Sequence, residues 1–263
     1  MSIFKKASVV FDTSADVQEY FESISCAYIK NSLIKVIDEK KTSLLFLLGD
    51  SGVGKTYMLN IIKNEFVEER NILFCSEPFF TPESFFHFLL QGYSNNTALS
   101  LTELRDKTVR LFKAQNNLII IDEAQVLDEK IFELIRVLSD TGYFNFLISM
   151  HKDEGEVLLK KQHFFTRNHF VIILETLKKN EVGIYINNQL LMHGLGAIGD
   201  LFKRKQINLI MKLSKGNFRL IKQILKHAFL IMDYAKDNNH KRYTTPTTCV
   251  ITMAAIDLGI INV

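Results

Sequence analysis

The chain has no tryptophan and only three prolines, three cysteines and twelve glycines among its 263 residues. Each scarcity removes a class of protein. So little proline and glycine, beside a hydrophobic fraction of 47%, excludes collagenous, low-complexity and disordered chains. Cys26, Cys75 and Cys249 stand far apart, with no CxxC and no histidine at metal-ligand spacing. Neither a disulfide framework nor a zinc site is expected, and a reducing compartment fits best. Long apolar runs are missing too. Leu44 to Leu48 and Val171 to Leu174 fall far short of the roughly 20 residues that span a bilayer. The N-terminus MSIFKK lacks the apolar segment of a secretory leader. The expectation is a soluble, cytoplasmic protein without direct membrane insertion, with length enough for one large domain or two small ones.

Net charge is small but unevenly placed. The net value is +3, yet up to Glu175 there are 19 basic against 24 acidic residues, and after it 13 against 5. The later part therefore suits an anion, whether nucleotide phosphate, nucleic acid or an acidic partner. A solvated lysine-rich helical surface explains the same count.

What is present is an alternation of short apolar runs with longer amphipathic stretches, which reads as α/β. Ser43 to Leu48, Asn71 to Ser76, Leu118 to Asp122, Asn145 to Ser149 and His169 to Leu174 are continuous rather than alternating, as in strands of a parallel sheet covered on both faces. Helix-like stretches separate them. From Lys178 onward strand signals stop, and four helical stretches follow. The expected layout is a helical segment over 1–40, a three-layer αβα core with a five-stranded parallel sheet over 41–175, and a small all-helical lid over 176–263.

The strongest motif is Gly49-Asp50-Ser51-Gly52-Val53-Gly54-Lys55-Thr56, a GxxxxGKT between a predicted strand and a predicted helix, with Tyr57 next in line. Its glycines let successive N–H groups turn inward to phosphate oxygens, and the helix N-terminus adds partial positive charge. Lys55 then neutralises the β and γ phosphates, and the Thr56 hydroxyl holds Mg²⁺. A second motif, Leu118 to Gln125, is an apolar strand ending in Asp122 and Glu123. Asp122 at a strand's C-terminal end can reach the metal. Glu123 is placed to polarise water for in-line attack, which makes hydrolysis the expected chemistry. No NKxD tetrapeptide occurs, so ATP is favoured over GTP. The arginine-rich lid of small-molecule kinases is missing as well.

With these motifs the chain resembles AAA+ P-loop ATPases of the ExeA/GspA and MshM kind, which serve secretion and type IV pilus systems, and their MuB and TniB relatives in transposition. The resemblance rests on the phosphate loop, the IDEAQ at Ile121 to Gln125, Phe165-Thr166-Arg167, the stretch Leu177 to Ile186 and Gly216-Asn217-Phe218-Arg219. It implies ATP and Mg²⁺ as cofactors and an ATP-dependent homo-oligomer. It also implies either a membrane-embedded partner in an envelope apparatus or duplex DNA bound by a basic lid. A slow, nucleotide-gated adaptor is the third reading.

The resemblance assigns Arg219 to touch the γ-phosphate from the lid. Its place in the first turn of a helix after the N-cap Asn217 is one where a cation is disfavoured unless an anion is near, although an ordinary surface arginine fits too. Arg167, before the last strand, matches an arginine finger that acts on a neighbouring subunit, with helix capping as its alternative. Where the family carries a polar amide to orient water, this chain has Ser149 and His151 as candidates. If His151 serves, the rate should depend on its protonation near neutral pH.

Arg219, Lys222 and Lys226 follow helical spacing, with Lys212 and Lys215 before them and Lys203-Arg204-Lys205 as a second cluster. A basic face without interleaved aromatics suits duplex backbone better than single strands, with a solvated face as the default. His87 within Phe85 to Phe88 reads as packing, and Phe79, Phe80, Phe85, Phe86 and Phe88 as core or a subunit contact.

Overall fold

The computed structural model describes residues 1–12, 21–39, 42–77, 79–93, 99–113, 115–161 and 168–261. These divide into two compact units. One comprises Ser25–Ser51 and Lys55–Leu174, the other Met1–Ile24, Gly52–Gly54 and Glu175–Val263.

The first unit is wound around five parallel strands: β1 Leu44–Leu48, β2 Asn71–Cys75, β3 Asn117–Ile121, β4 Phe144–Met150 and β5 Phe170–Ile173. Their order across the sheet is β2-β3-β4-β1-β5, and every pairing is parallel. β1 and β3 are buried at every residue, which is why their sequences, LLFLL and NLIII, show no polar alternation. The crossovers carry α3 Lys55–Phe66, α4 Pro82–Leu89, α5 Leu101–Phe112, α6 Glu129–Ser139 and α7 Lys152–Leu159. Helix α2, Ile24–Asp38, precedes the sheet. Ser100 and Glu103 close a reciprocal capping box at the start of α5, and the Asp128 side chain caps α6. Both supply acceptors to N–H groups that the first helical turn leaves unpaired.

The phenylalanine cluster divides within this unit. Phe79, Phe85 and Phe86 are buried and Phe88 packs against them, while Phe80 is 74% exposed. His87, expected to pack, is exposed. Buried positions on α4 are Phe85, Phe86 and Leu89, and 3.6 residues per turn aims position 87 away from that face.

The second unit is helical. Among its described residues it contains α1 Ile3–Val10, α8 Lys179–Met192, the single turn α9 Gly196–Gly199, α10 Arg204–Ser214, α11 Phe218–Asp237 and α12 Thr248–Asp257. Helix α1 buries Phe4, Ala7 and Val10 in one core with Tyr185, Ile186, Ile221, Leu225 and Phe229. Phe11 stacks on Phe229 with ring centroids 5.8 Å apart, and Tyr185 meets Phe218 edge-on at 4.7 Å. At the unit's polar rim Lys226 pairs with Asp12 at 2.8 Å. Residues 1–40, read as one segment from the sequence, thus split after Ile24 between the two units. The short apolar stripe on α1 gains its burial from whichever face it meets, and here that face belongs to α11.

Two stretches that carried the family resemblance are structural within this helical unit. Glu181 is buried, and its carboxylate accepts from the Lys178 N–H at 2.8 Å. The Leu177 N–H donates to the Gly216 carbonyl at 2.9 Å, tying the start of α8 to the turn before α11. Among the described residues no helix is long and apolar enough to cross a membrane.

Candidate functional site

The C-terminal ends of β1, β3 and β4 set the site, the edge at which open parallel sheets bind ligands. β1 runs straight into Gly49 and Asp50. From the first turn of α3, buried Lys55 bends back so that its ammonium donates to the Gly49 carbonyl at 2.8 Å and the Asp50 carbonyl at 3.0 Å. Gly54 has φ +106°, and a Cβ built there would meet nothing within 4 Å. The loop therefore needs glycine for its backbone conformation and leaves open space beside it, as a cradle for phosphate requires. Val53 between the glycines is buried, whereas Asp50, Ser51 and Thr56 are exposed and Tyr57 half-buried.

Strand register brings up the second half. In the β3–β4 ladder Ile121 faces Ile148, so one step further Asp122 lies beside Ser149. The buried Ser149 hydroxyl donates to Asp122 Oδ1. The other carboxylate oxygen, Oδ2, accepts from the Thr56 hydroxyl at 2.5 Å, and the Asp122 N–H donates to the Cys75 carbonyl at 2.9 Å. Asp122 is thus held from β2, β4 and α3 together.

Glu123 turns the chain sharply, with φ 52° and ψ 39°, a left-handed conformation uncommon for a residue with a side chain. Its N–H donates to Asp122 Oδ1 at 3.0 Å and to the Ser149 hydroxyl at 3.2 Å. A short 3₁₀ turn, Ala124–Val126, follows. The Glu123 side chain is half-exposed, and its Oε2 lies 3.6 Å from His151 Nε2. The Gln125 amide also donates to that oxygen, while Gln125 Oε1 accepts from the His151 N–H at 3.3 Å.

Of the two polar candidates at the end of β4, Ser149 bonds the aspartate and His151, just past the strand, approaches the glutamate. In the sequence Gln125 is only the last letter of the IDEAQ run. Its contacts depend on the 3₁₀ turn and on the end of β4, and neither leaves a periodic signal.

Within the helical unit, the Arg219 N–H donates to the Gly52 carbonyl at 3.1 Å. Asn217 caps α11 by accepting from the Leu220 N–H at 3.2 Å, as the sequence suggested. Gly52 has φ +77°, and a Cβ there would fall 2.7 Å from Asn217 Oδ1 and 2.9 Å from Arg219 Cβ. Any side chain at position 52 would collide with the start of α11. Arg219 as a whole is exposed. Arg167 lies outside the described residues.

Cys75, whose carbonyl receives the Asp122 N–H, has a strongly displaced titration. Burial first, then the negative charges of Glu77 and Asp122, push its thiol from 9.0 up to about 11, against a backbone hydrogen bond with Glu77 that lowers it. Such a thiol is inert at neutral pH.

The donor set suits a magnesium–triphosphate. Thr56 and Asp122 offer only oxygen, the ligand type a hard, small dication prefers. Among the described residues no cluster of three or more His, Cys, Asp or Glu could hold a metal unaided.

Known proteins resemble the chain in one sequence span and in fold. The family described as AAA domain matches residues 38–158, a span that contains the phosphate loop, Asp122, Glu123 and Ser149. No curated protein matches the sequence. Among solved structures, Cdc6p of Pyrobaculum aerophilum is similar with a TM-score of 0.64 at 15% identity, over 88% of this chain and 66% of that one. The RuvB Holliday junction branch migration motor of Thermotoga maritima gives 0.61 at 15%, over 94% and 73%. Domain III of the Thermotoga maritima replication initiation protein DnaA gives 0.55 at 17%, over 94% and 97%. The chain thus spans just under two thirds of the Cdc6p length. Its fold is that of the AAA+ P-loop ATPases.

Proposed function

We propose that the protein is an Mg²⁺-dependent ATPase in which ATP binding and hydrolysis drive assembly or movement. The observation that carries the reading is the convergence on Asp122 of Thr56 from the phosphate loop and Ser149 from β4, with Glu123 one residue on. Lys55 would bind the phosphates, giving up the loop carbonyls it now bonds. Thr56 and Asp122 would hold Mg²⁺, which when bound supplies charge neutralisation across the phosphates. Glu123 would accept a proton from the attacking water. Ser149 orients Asp122, and His151 is the second polar group near Glu123. Arg219 is proposed to sense phosphate and Arg167 to serve a neighbouring subunit, both on the resemblance alone.

Purified protein should retain labelled ATP with Mg²⁺, gain thermal stability from it and release phosphate. Protein that neither retains the nucleotide nor is stabilised by it, even when concentrated enough to self-associate, refutes the reading.

For the biological role, duplex DNA is the partner the surface favours. Lys203, Arg204, Lys205, Lys212 and Lys215 are exposed on or beside α10, though Lys226 is engaged by Asp12 and adds less. The similar structures include a Drosophila ORC bound to DNA, with TM-score 0.54 at 15% identity over 80% of this chain and 64% of that one. A titration of duplex binding against salt tests this, since each neutralised phosphate contributes a log–log slope of about −0.9. Absence of binding at low salt leaves the secretion or pilus reading, which rests on sequence resemblance and needs a membrane-embedded partner.

A further inference from the structure

The proposed base is not positioned by its own backbone alone. Glu123 occupies a left-handed turn with its carboxylate half-exposed, where a flexible glutamate would sample many rotamers and spend little time aligned on a water. Two groups restrict it, and both act on Oε2: the Gln125 amide donates to that oxygen, and His151 Nε2 lies 3.6 Å from it. Gln125 is itself anchored, because Oε1 accepts from the His151 N–H, the N-cap position of α7. The amide therefore spans from the end of β4 to the carboxylate that follows β3. Since both contacts fall on Oε2, Oε1 is the oxygen left to take a proton.

We infer that Gln125 is a positioning residue for hydrolysis, holding the Glu123 carboxylate in register with the end of β4 through an amide bridge between Glu123 Oε2 and the His151 N–H. The inference rests on the proposed role of Glu123 as base. Neither an alanine nor a carboxylate at position 125 can replace the amide. Alanine offers no donor, and a glutamate would set a second negative charge against Oε2. An asparagine keeps both amide functions but is one methylene shorter, so it cannot span both partners unless the turn shifts.

The test is steady-state ATP hydrolysis by the full chain carrying Gln125→Ala, Gln125→Glu, Glu123→Gln, or Gln125→Ala with Glu123→Gln. Nucleotide retention and melting temperature are measured on each. The expected result is a fall in kcat of about tenfold or more in either Gln125 variant, part of the 10²- to 10⁴-fold that a general base contributes, with KM for ATP and thermal stability nearly unchanged. The double variant should be no slower than Glu123→Gln alone, because a residue that acts through Glu123 has nothing further to lose. A Gln125→Ala protein with undiminished kcat, or one whose defect multiplies onto that of Glu123→Gln, overturns the role of Gln125 while leaving the base intact. Full turnover by Glu123→Gln overturns the base and this inference with it. A loss of kcat accompanied by a matching loss of nucleotide retention or melting temperature assigns Gln125 to folding instead.

Discussion

The Thr56 hydroxyl donates to Asp122 Oδ2 across 2.5 Å, between residues 66 positions apart in the chain. The bond joins the first turn of α3 to the end of β3, so the two oxygens proposed to hold Mg²⁺ are already side by side. Thr56→Ala should raise the Mg²⁺ concentration needed for half-maximal hydrolysis by about tenfold or more, on the scale seen when a ligand's support is lost. Thr56→Ser should restore it. A magnesium titration of phosphate release checks both.

Lys55 is buried yet held by two backbone carbonyls. Replacing it by alanine should weaken ATP binding by about 10- to 100-fold, the value of a charge-assisted hydrogen bond of about 1.5–3 kcal/mol. Equilibrium binding of a fluorescent ATP analogue measures the loss. Unchanged affinity would remove Lys55 from the phosphate site.

Glu123→Gln should keep nucleotide while turnover falls by about 10²- to 10⁴-fold. If Arg167 serves a neighbour's site, mixing Arg167→Ala subunits with Glu123→Gln subunits should recover part of the activity, because some interfaces then combine two intact halves. Activity of the mixture equal to the average of its separate components would refute a role across subunits.

Ser149 is fully buried and bonds a largely buried carboxylate. Ser149→Ala removes one donor from Asp122 and one acceptor from the Glu123 N–H. Stability should drop by about 1–3 kcal/mol, read by denaturant melts, and hydrolysis should slow even where nucleotide saturates. Intact stability and rate would mean that Thr56 and the backbone suffice to hold Asp122.

Cys75 and Cys249 should react differently. With its pKa raised to about 11 and its side chain buried, Cys75 should resist maleimide at pH 8, while exposed Cys249 is labelled first; mass spectrometry of the native protein distinguishes them. The same shift couples to stability. The folded state keeps its thiol proton above the ordinary value, so this contribution is whole below pH 9, declines as pH rises from 9.0 towards about 11 and is lost above it. Cys75→Ala should flatten that part of the alkaline melting profile.

Much of the site was legible because its chemistry is local. GxxxxGKT demands particular residue types at consecutive backbone positions, and Gly54 shows why, with a φ that side chains avoid and open space where a Cβ would stand. The strand runs were legible because burial on both faces favours unbroken apolar sequence, as in LLFLL and in the four residues after Asn117 in NLIII. His87 misled because a histidine among three phenylalanines, Phe85, Phe86 and Phe88, resembles core, whereas the helical period turned it outward.

By itself the amino-acid order determined the αβα core, the phosphate loop and the acidic pair, since each depends on neighbours within a few residues and on a repeating pattern of burial. The tertiary structure decided what long-range register controls. It placed Ser149 rather than His151 on Asp122, joined Gln125 to the His151 N–H, and united α1 with the C-terminal helices through Phe11 and Phe229. Those pairings join residues tens to hundreds of positions apart, and no local preference encodes them. They follow from which faces remain to be covered once the strands have aligned.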